Sequence, residues 1–149
     1  MTATGHAVLG TVIAAKIGNP ALAIPLAIAS HIVADIFPHW DTATNKAKKG
    51  KKRVIIESFF DLIFGFLLSY AIIFFIFPQT NLLYVLFLIL VSQSLDWLML
   101  PYYFLNINFS LFRWAYKFQK SLNHDLDKPW GIINQIAVLV LIVILAKVF

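Results

Sequence analysis

Residues Val54 to Phe77 read VIIESFFDLIFGFLLSYAIIFFIF, a run of 24 residues in which Glu57 and Asp61 are the only charges. As an α-helix such a run is about 36 Å long, enough to cross a hydrocarbon core of about 30 Å. It decides the class of fold. Leu82 to Leu105 is a second run of this kind and Gly131 to Phe149 a third. Two shorter apolar stretches, Ala3 to Ile17 and Ala21 to Phe37, flank the turn signal Gly18-Asn19-Pro20. They predict a short N-terminal hairpin that either spans marginally or re-enters on one side. The expectation is an all-α polytopic membrane bundle of about five hydrophobic helices, one integral membrane domain over residues 1–149.

Composition agrees with that class. The chain is 60% hydrophobic and 13% charged, against about a quarter charged in soluble domains. Its mean hydropathy is +0.82. The absence of cysteine excludes disulfides and thiolate metal sites, so any metal must use His, carboxylate or carbonyl ligands. No basic leader precedes the first apolar stretch, and no removable signal peptide is predicted.

Charge then predicts orientation. Ten of the twelve Lys and Arg fall between Thr42 and Arg53 or between Asn106 and Pro129, which marks both loops as cytoplasmic under the positive-inside rule. The first loop reads as a topology signal touching anionic lipid. No aromatic interleaving or fold motif accompanies the charge, and no nucleic-acid partner is predicted. In the second loop Arg113, Lys117, Lys120 and His124 share one helical edge opposite Leu111, Trp114, Ala115, Phe118 and Leu122. That is an interfacial amphipathic helix with its basic edge among lipid head groups. All seven acids and all four His lie at or near the cytoplasmic ends of their segments in this topology. Expected placement is therefore a cytoplasmic or inner membrane, with the polar site on the cytoplasmic side.

The densest part of that polar end is Ser30 to Asp41, SHIVADIFPHWD. His31 and Asp35 are four apart and share a helix face. Pro38 stops the helix and is expected to let His39 and Asp41 turn back toward the same point. Glu57 and Asp61 repeat the four-residue spacing on the next helix, and like charges so placed repel. An uncompensated carboxylate inside a membrane boundary costs several kcal/mol; pairing with lysine, protonation or a bound cation would offset it. His beside carboxylate suits Zn first, with Mn or Fe next. The predicted metal ligands are His6, His31, Asp35, His39, Asp41, Asp61 and Asp96, holding one or two ions.

Paired metals serve phosphoester hydrolysis, the ion lowering the pKa of a water that attacks phosphorus. In that scheme Glu57 is the base, His124 protonates the leaving oxygen, and Arg113, Lys117 and Lys120 hold the head group of a membrane lipid. Blander roles compete at several positions. Glu57 and Asp61 have Lys52 and Arg53 nearby, Ser92 and Gln93 can satisfy Asp96, and Asn134 and Gln135 suit interhelical hydrogen bonds. Two other functions use the same residues. A structural metal staple would be closed to water. An ion transporter needs polar groups through the full membrane depth, whereas Phe64 to Phe77 is apolar apart from Ser69 and Tyr70.

Thr4-Gly5-His6, the small-residue hairpin, and the run Phe37-Pro38-His39-Trp40-Asp41 resemble the YdjM-like inner-membrane metal-dependent hydrolases, over about the first third of the chain. Asp41 matches that family's Pro-Asp-x-Asp motif residue for residue, and His39 stands where the family has a carboxylate. More loosely, His31-x-x-x-Asp35 with Pro38-His39 is similar to the His-x-x-x-Asp segment of zinc-dependent phospholipases C. The resemblance implies a metal-dependent hydrolase whose ligands include His6 and Asp41.

Overall fold

A computed structural model describes residues 1–149 as eight helices with no strand. The helices are α1 (Ala3–Lys16), α2 (Pro20–Ile36), α3 (Lys46–Lys49), α4 (Lys51–Ile76), α5 (Leu82–Ser92), α6 (Ser94–Leu105), α7 (Ser110–Leu122) and α8 (Trp130–Val148). By length and composition α4 and α8 can each cross a membrane, and α5 with α6 forms a third crossing if the bent pair is one span. The two or three candidate spans are fewer than the five hydrophobic helices expected.

α1 is the centre of the bundle. Eleven of its 14 residues, Thr4 to Ala14, are buried, and it packs against α2, α4, α5 and α8. A helix that is apolar on every side belongs inside, and its small residues allow close contact. A Cβ on Gly10 would stand 2.7 Å from both the Leu88 carbonyl oxygen and Ser92 Oγ, so α1 and α5 meet nearly backbone to backbone.

α2 starts as its sequence dictates. Asn19 caps it through Oδ1, 3.0 Å from the Ala21 N–H, and Pro20 occupies the first turn, where a missing N–H costs nothing. Its buried residues are Ala23, Ala27, His31, Ala34 and Asp35, one stripe at helical spacing. The small residues bring α2 close to α1 and α5, and the same stripe delivers His31 and Asp35 inward.

The expected helix from Leu82 to Leu105 is broken at Gln93, and its halves bend by 50°. Side chains that bond to the backbone explain the break. Ser92 Oγ donates to the Ile89 carbonyl at 2.9 Å and to the His6 carbonyl at 2.8 Å, while Gln93 Nε2 donates to the Ala3 carbonyl at 2.9 Å. The apolar pattern continues through the break, so periodicity does not reveal it.

α7 is amphipathic as expected, with a different buried face. Ala115 and Gln119 are buried, and the helix packs on α6 and α2. Trp114 and Leu111 are exposed at 54% and 45%, which leaves this edge for a membrane interface. Beyond α7 the chain clasps the end of α2: His124 N–H donates to the Asp35 carbonyl (3.0 Å), His39 N–H to the His124 carbonyl (3.2 Å), and Leu126 N–H to the His39 carbonyl (2.7 Å). The clasp crosses Gly131 so closely that a Cβ there would lie 2.7 Å from the Trp40 nitrogen.

Candidate metal centre

Three elements meet behind the clasp. α1 supplies His6, α2 supplies His31 and Asp35, and α6, turned by the bend at Gln93, supplies Asp96. The two imidazoles stack with centroids 3.8 Å apart and planes 8° from parallel. Both are buried, at 0% and 1% exposure. His6 Nε2 lies 3.2 Å from Asp35 Oδ1, and His31 Nε2 lies 3.3 Å from Asp35 Oδ2. Asp96 stands farther out, 4.0 Å from His6 Nε2 and 3.9 Å from His31 Nε2. One ligand atom from each of His6, His31 and Asp96 falls within 4.8 Å of the others, so this group can hold a metal ion.

Hydrogen bonding orients His31. Its Nδ1 is 2.6 Å from the Ser92 carbonyl, which can only accept, so Nδ1 carries a proton and Nε2 is the nitrogen turned toward Asp35 and Asp96. Gln119 bridges the two elements, its amide nitrogen 2.9 Å from His31 Nε2 and 2.9 Å from Asp96 Oδ1. A backbone carbonyl behind a ring nitrogen is the usual support of a ligating His. Neither ring nitrogen of His6 has a hydrogen-bond partner, and a buried unpartnered polar group costs about 1–3 kcal/mol. The only positive charge seated at these carboxylates is the Met1 amino group, which contacts Asp35 Oδ1. A divalent cation among the two imidazoles and two carboxylates would compensate the negative charge of Asp35 and Asp96.

The other predicted ligands lie elsewhere. Asp61 caps α1: its Oδ2 accepts from the Ala3 N–H at 2.6 Å and its Oδ1 from Thr4 Oγ1 at 2.7 Å. It lies outside the cluster of His6, His31 and Asp96. His39 is buried, with Nδ1 donating to the Phe37 carbonyl at 2.6 Å. Burial holds its imidazole below the usual range, and Nε2 has no partner, yet it does not join His6, His31 and Asp96. Asp41 does not coordinate beside His31, but it lines the cavity outside.

The predicted catalytic and head-group residues also separate. Glu57 is clamped by Lys49 Nζ (2.7 Å) and Arg53 Nε (2.8 Å). His124 is exposed and serves the clasp through its backbone. Lys120 lines the cavity, and Arg113 and Lys117 do not. Nearby Asp127 is exposed, and the Lys128 N–H, with Asn45, holds its carboxyl below the usual range.

Access is open on one side. A cavity of about 240 Å³ reaches Asp35, Asp96 and Gln119 and is walled by Asp41, Asp125, Lys46, Tyr103 and Tyr116. Gln119 and Lys46 are the members that sequence reasoning passed over. Gln119 sits among the cations of α7, where its four-residue offset from Ala115 was the available signal; Lys46 was absorbed into a basic run.

Comparison with known protein families, with curated proteins and with solved structures finds no match for this chain.

Proposed function

We propose that the chain is an integral membrane metal-dependent hydrolase that cleaves a phosphoester of a lipid or another interfacial substrate, its site facing the cytoplasm. The carrying observation is His31, whose Nδ1 is committed to the Ser92 carbonyl while Nε2 faces Asp35 and Asp96 beside an unpartnered His6. Two imidazoles converging with carboxylates form a donor set for Zn, or for Mn or Fe, once their facing nitrogens are deprotonated. A divalent ion held by His6, His31, Asp35 and Asp96 would supply positive charge to a phosphoryl oxygen and acidify a water. Gln119 orients Asp96, and Asp41 on the cavity wall accepts the proton of the attacking water. The open cavity favours an enzyme over a closed metal staple, and the likeness of the Pro38-His39-Trp40-Asp41 stretch to the YdjM-like hydrolases points the same way.

The test is metal content of the detergent-purified protein by mass spectrometry, with His31→Ala alongside, followed by hydrolysis of a panel of phosphorylated lipids with Zn, Mn and Fe. Wild type should carry metal, and His31→Ala should lose at least about 100-fold in affinity, more than loss of a supporting group costs. A folded wild type without metal, or a variant that keeps it, sinks the proposal. Bound metal with no turnover of any lipid moves the site to the staple.

A further inference from the structure

Acceptors outnumber donors around the cavity outside the metal centre. The carboxylates of Asp35, Asp41, Asp96 and Asp125 face it beside two lysines, Lys46 and Lys120. Lys46 is already engaged: its Nζ donates to the Tyr116 hydroxyl at 3.1 Å and stands 5.1 Å and 5.4 Å from the ring centres of Tyr103 and Tyr116. Such a lining favours a ligand that brings positive charge and hydrogen-bond donors.

Two amide side chains make the preference specific. Gln119 and Asn123 stand four residues, about one turn, apart at the C-terminal end of α7, and both line the cavity. Gln119, 5% exposed, commits Nε2 to His31 and Asp96, and Asn123 commits Nδ2 to Asp125 Oδ1 at 2.9 Å. Neither amide oxygen has a hydrogen-bond partner. Flipping the amides would not help, because each would then set an oxygen against a carboxylate. Asp125 takes its two protein donors, from Thr44 and Asn123, on Oδ1, which leaves Oδ2 as a third acceptor beside them.

A primary ammonium carries three donors and no acceptor, which matches this wall. A hydroxyl brings one donor. Trimethylammonium brings none, and the aromatic faces that it would need already carry Lys46. Gln119 touches both His31 and Asp96, so the ammonium position adjoins the metal centre. Resting on the hydrolase reading and narrowing its substrate, we propose that the phosphoester carries a primary ammonium, seated on Gln119 Oε1, Asn123 Oδ1 and Asp125, with its phosphoryl group toward His6, His31 and Asp96. An aminoalkyl phosphate in solution and the head group of an aminoalkyl phospholipid share this chemistry.

The test is equilibrium dialysis of phosphoethanolamine against the full chain in phosphatidylcholine nanodiscs. Phosphoethanolamine should bind at least about tenfold more tightly than phosphocholine or glycerol 3-phosphate, the size of one hydrogen bond to a charged group. Asp125→Asn, a change at an exposed position, should lower phosphoethanolamine affinity about fivefold, such a bond discounted for solvent, and leave glycerol 3-phosphate unchanged. Equal affinity for the three ligands, indifference to Asp125→Asn, or displacement of phosphoethanolamine by Mg or Ca would overturn the proposal. Doping the nanodiscs with phosphatidylethanolamine assigns the source: competition identifies the lipid head group, and its absence the free aminoalkyl phosphate. Metal content of the same samples separates the two readings. Ammonium preference in a metal-free protein keeps the subsite and removes the hydrolase, while bound metal without that preference keeps the metal centre and removes the subsite.

Discussion

Asp35 and Asp61 are both acids on apolar helices, both within reach of α1, and they sit in opposite electrostatic surroundings. Asp61 looks along the axis of α1 at its N-terminus and takes the Ala3 N–H, the Thr4 N–H and the Thr4 hydroxyl. Those are donors, backed by the positive end of the helix dipole. Asp35 meets the side of the same helix, where His6 offers a ring nitrogen at 3.2 Å, and across from it a second imidazole whose proton is engaged elsewhere. The difference teaches how to sort buried acids in such a protein. One satisfied by donors is architecture. One that meets two imidazole nitrogens, with a single ammonium at one of its oxygens, has the surroundings of a candidate cation ligand.

Exchanging carboxylate for amide should break the two sites differently. Asp35→Asn should produce the largest effect, a loss of at least about 100-fold in metal affinity by equilibrium dialysis, together with a lower melting temperature of the metal-free protein, because the buried Met1 ammonium loses its carboxylate partner. A variant that binds metal as wild type does would erase the distinction. Asp61→Ala should leave metal binding in place and lower stability by about 1–2 kcal/mol, as loss of an N-cap does; loss of metal without loss of stability would place Asp61 in the centre after all. Glu57→Gln should be the mildest, within about 0.5 kcal/mol by denaturant titration and with unchanged turnover, since Glu57 only pairs with Lys49 and Arg53 at the surface. A collapse of turnover in that variant would restore it as a base.

Part of this was legible in the sequence. His31 and Asp35 share a face because four residues make about one turn, and Ala23 and Ala27 extend the same stripe, so the inner side of α2 could be read directly. That at least two helices could cross a membrane was legible from the apolar runs of α4 and α8. Position along the membrane was harder. α1 is apolar on all sides, and such a pattern fits a buried helix as well as a lipid-facing one; only its neighbours decide. The cap supplied by Asp61 joins positions 58 apart, and backbone amides leave no mark in side-chain patterning. The bend at Gln93 depends on where Ser92 and Gln93 find carbonyls on α1, so it too is a tertiary event. Gln119 was hidden by its charged neighbours.

The enclosure of α1 has a consequence for how the molecule is made. At 14 residues, about 21 Å of helix, α1 is too short to hold a place across the bilayer by itself. The helices that surround it, α2, α4, α5 and α8, all come later in the chain. Newly synthesised α1 has none of its packing partners until they follow. The His6–His31–Asp96 cluster is then among the last features to assemble, and any metal it held would be loaded only into a nearly complete molecule.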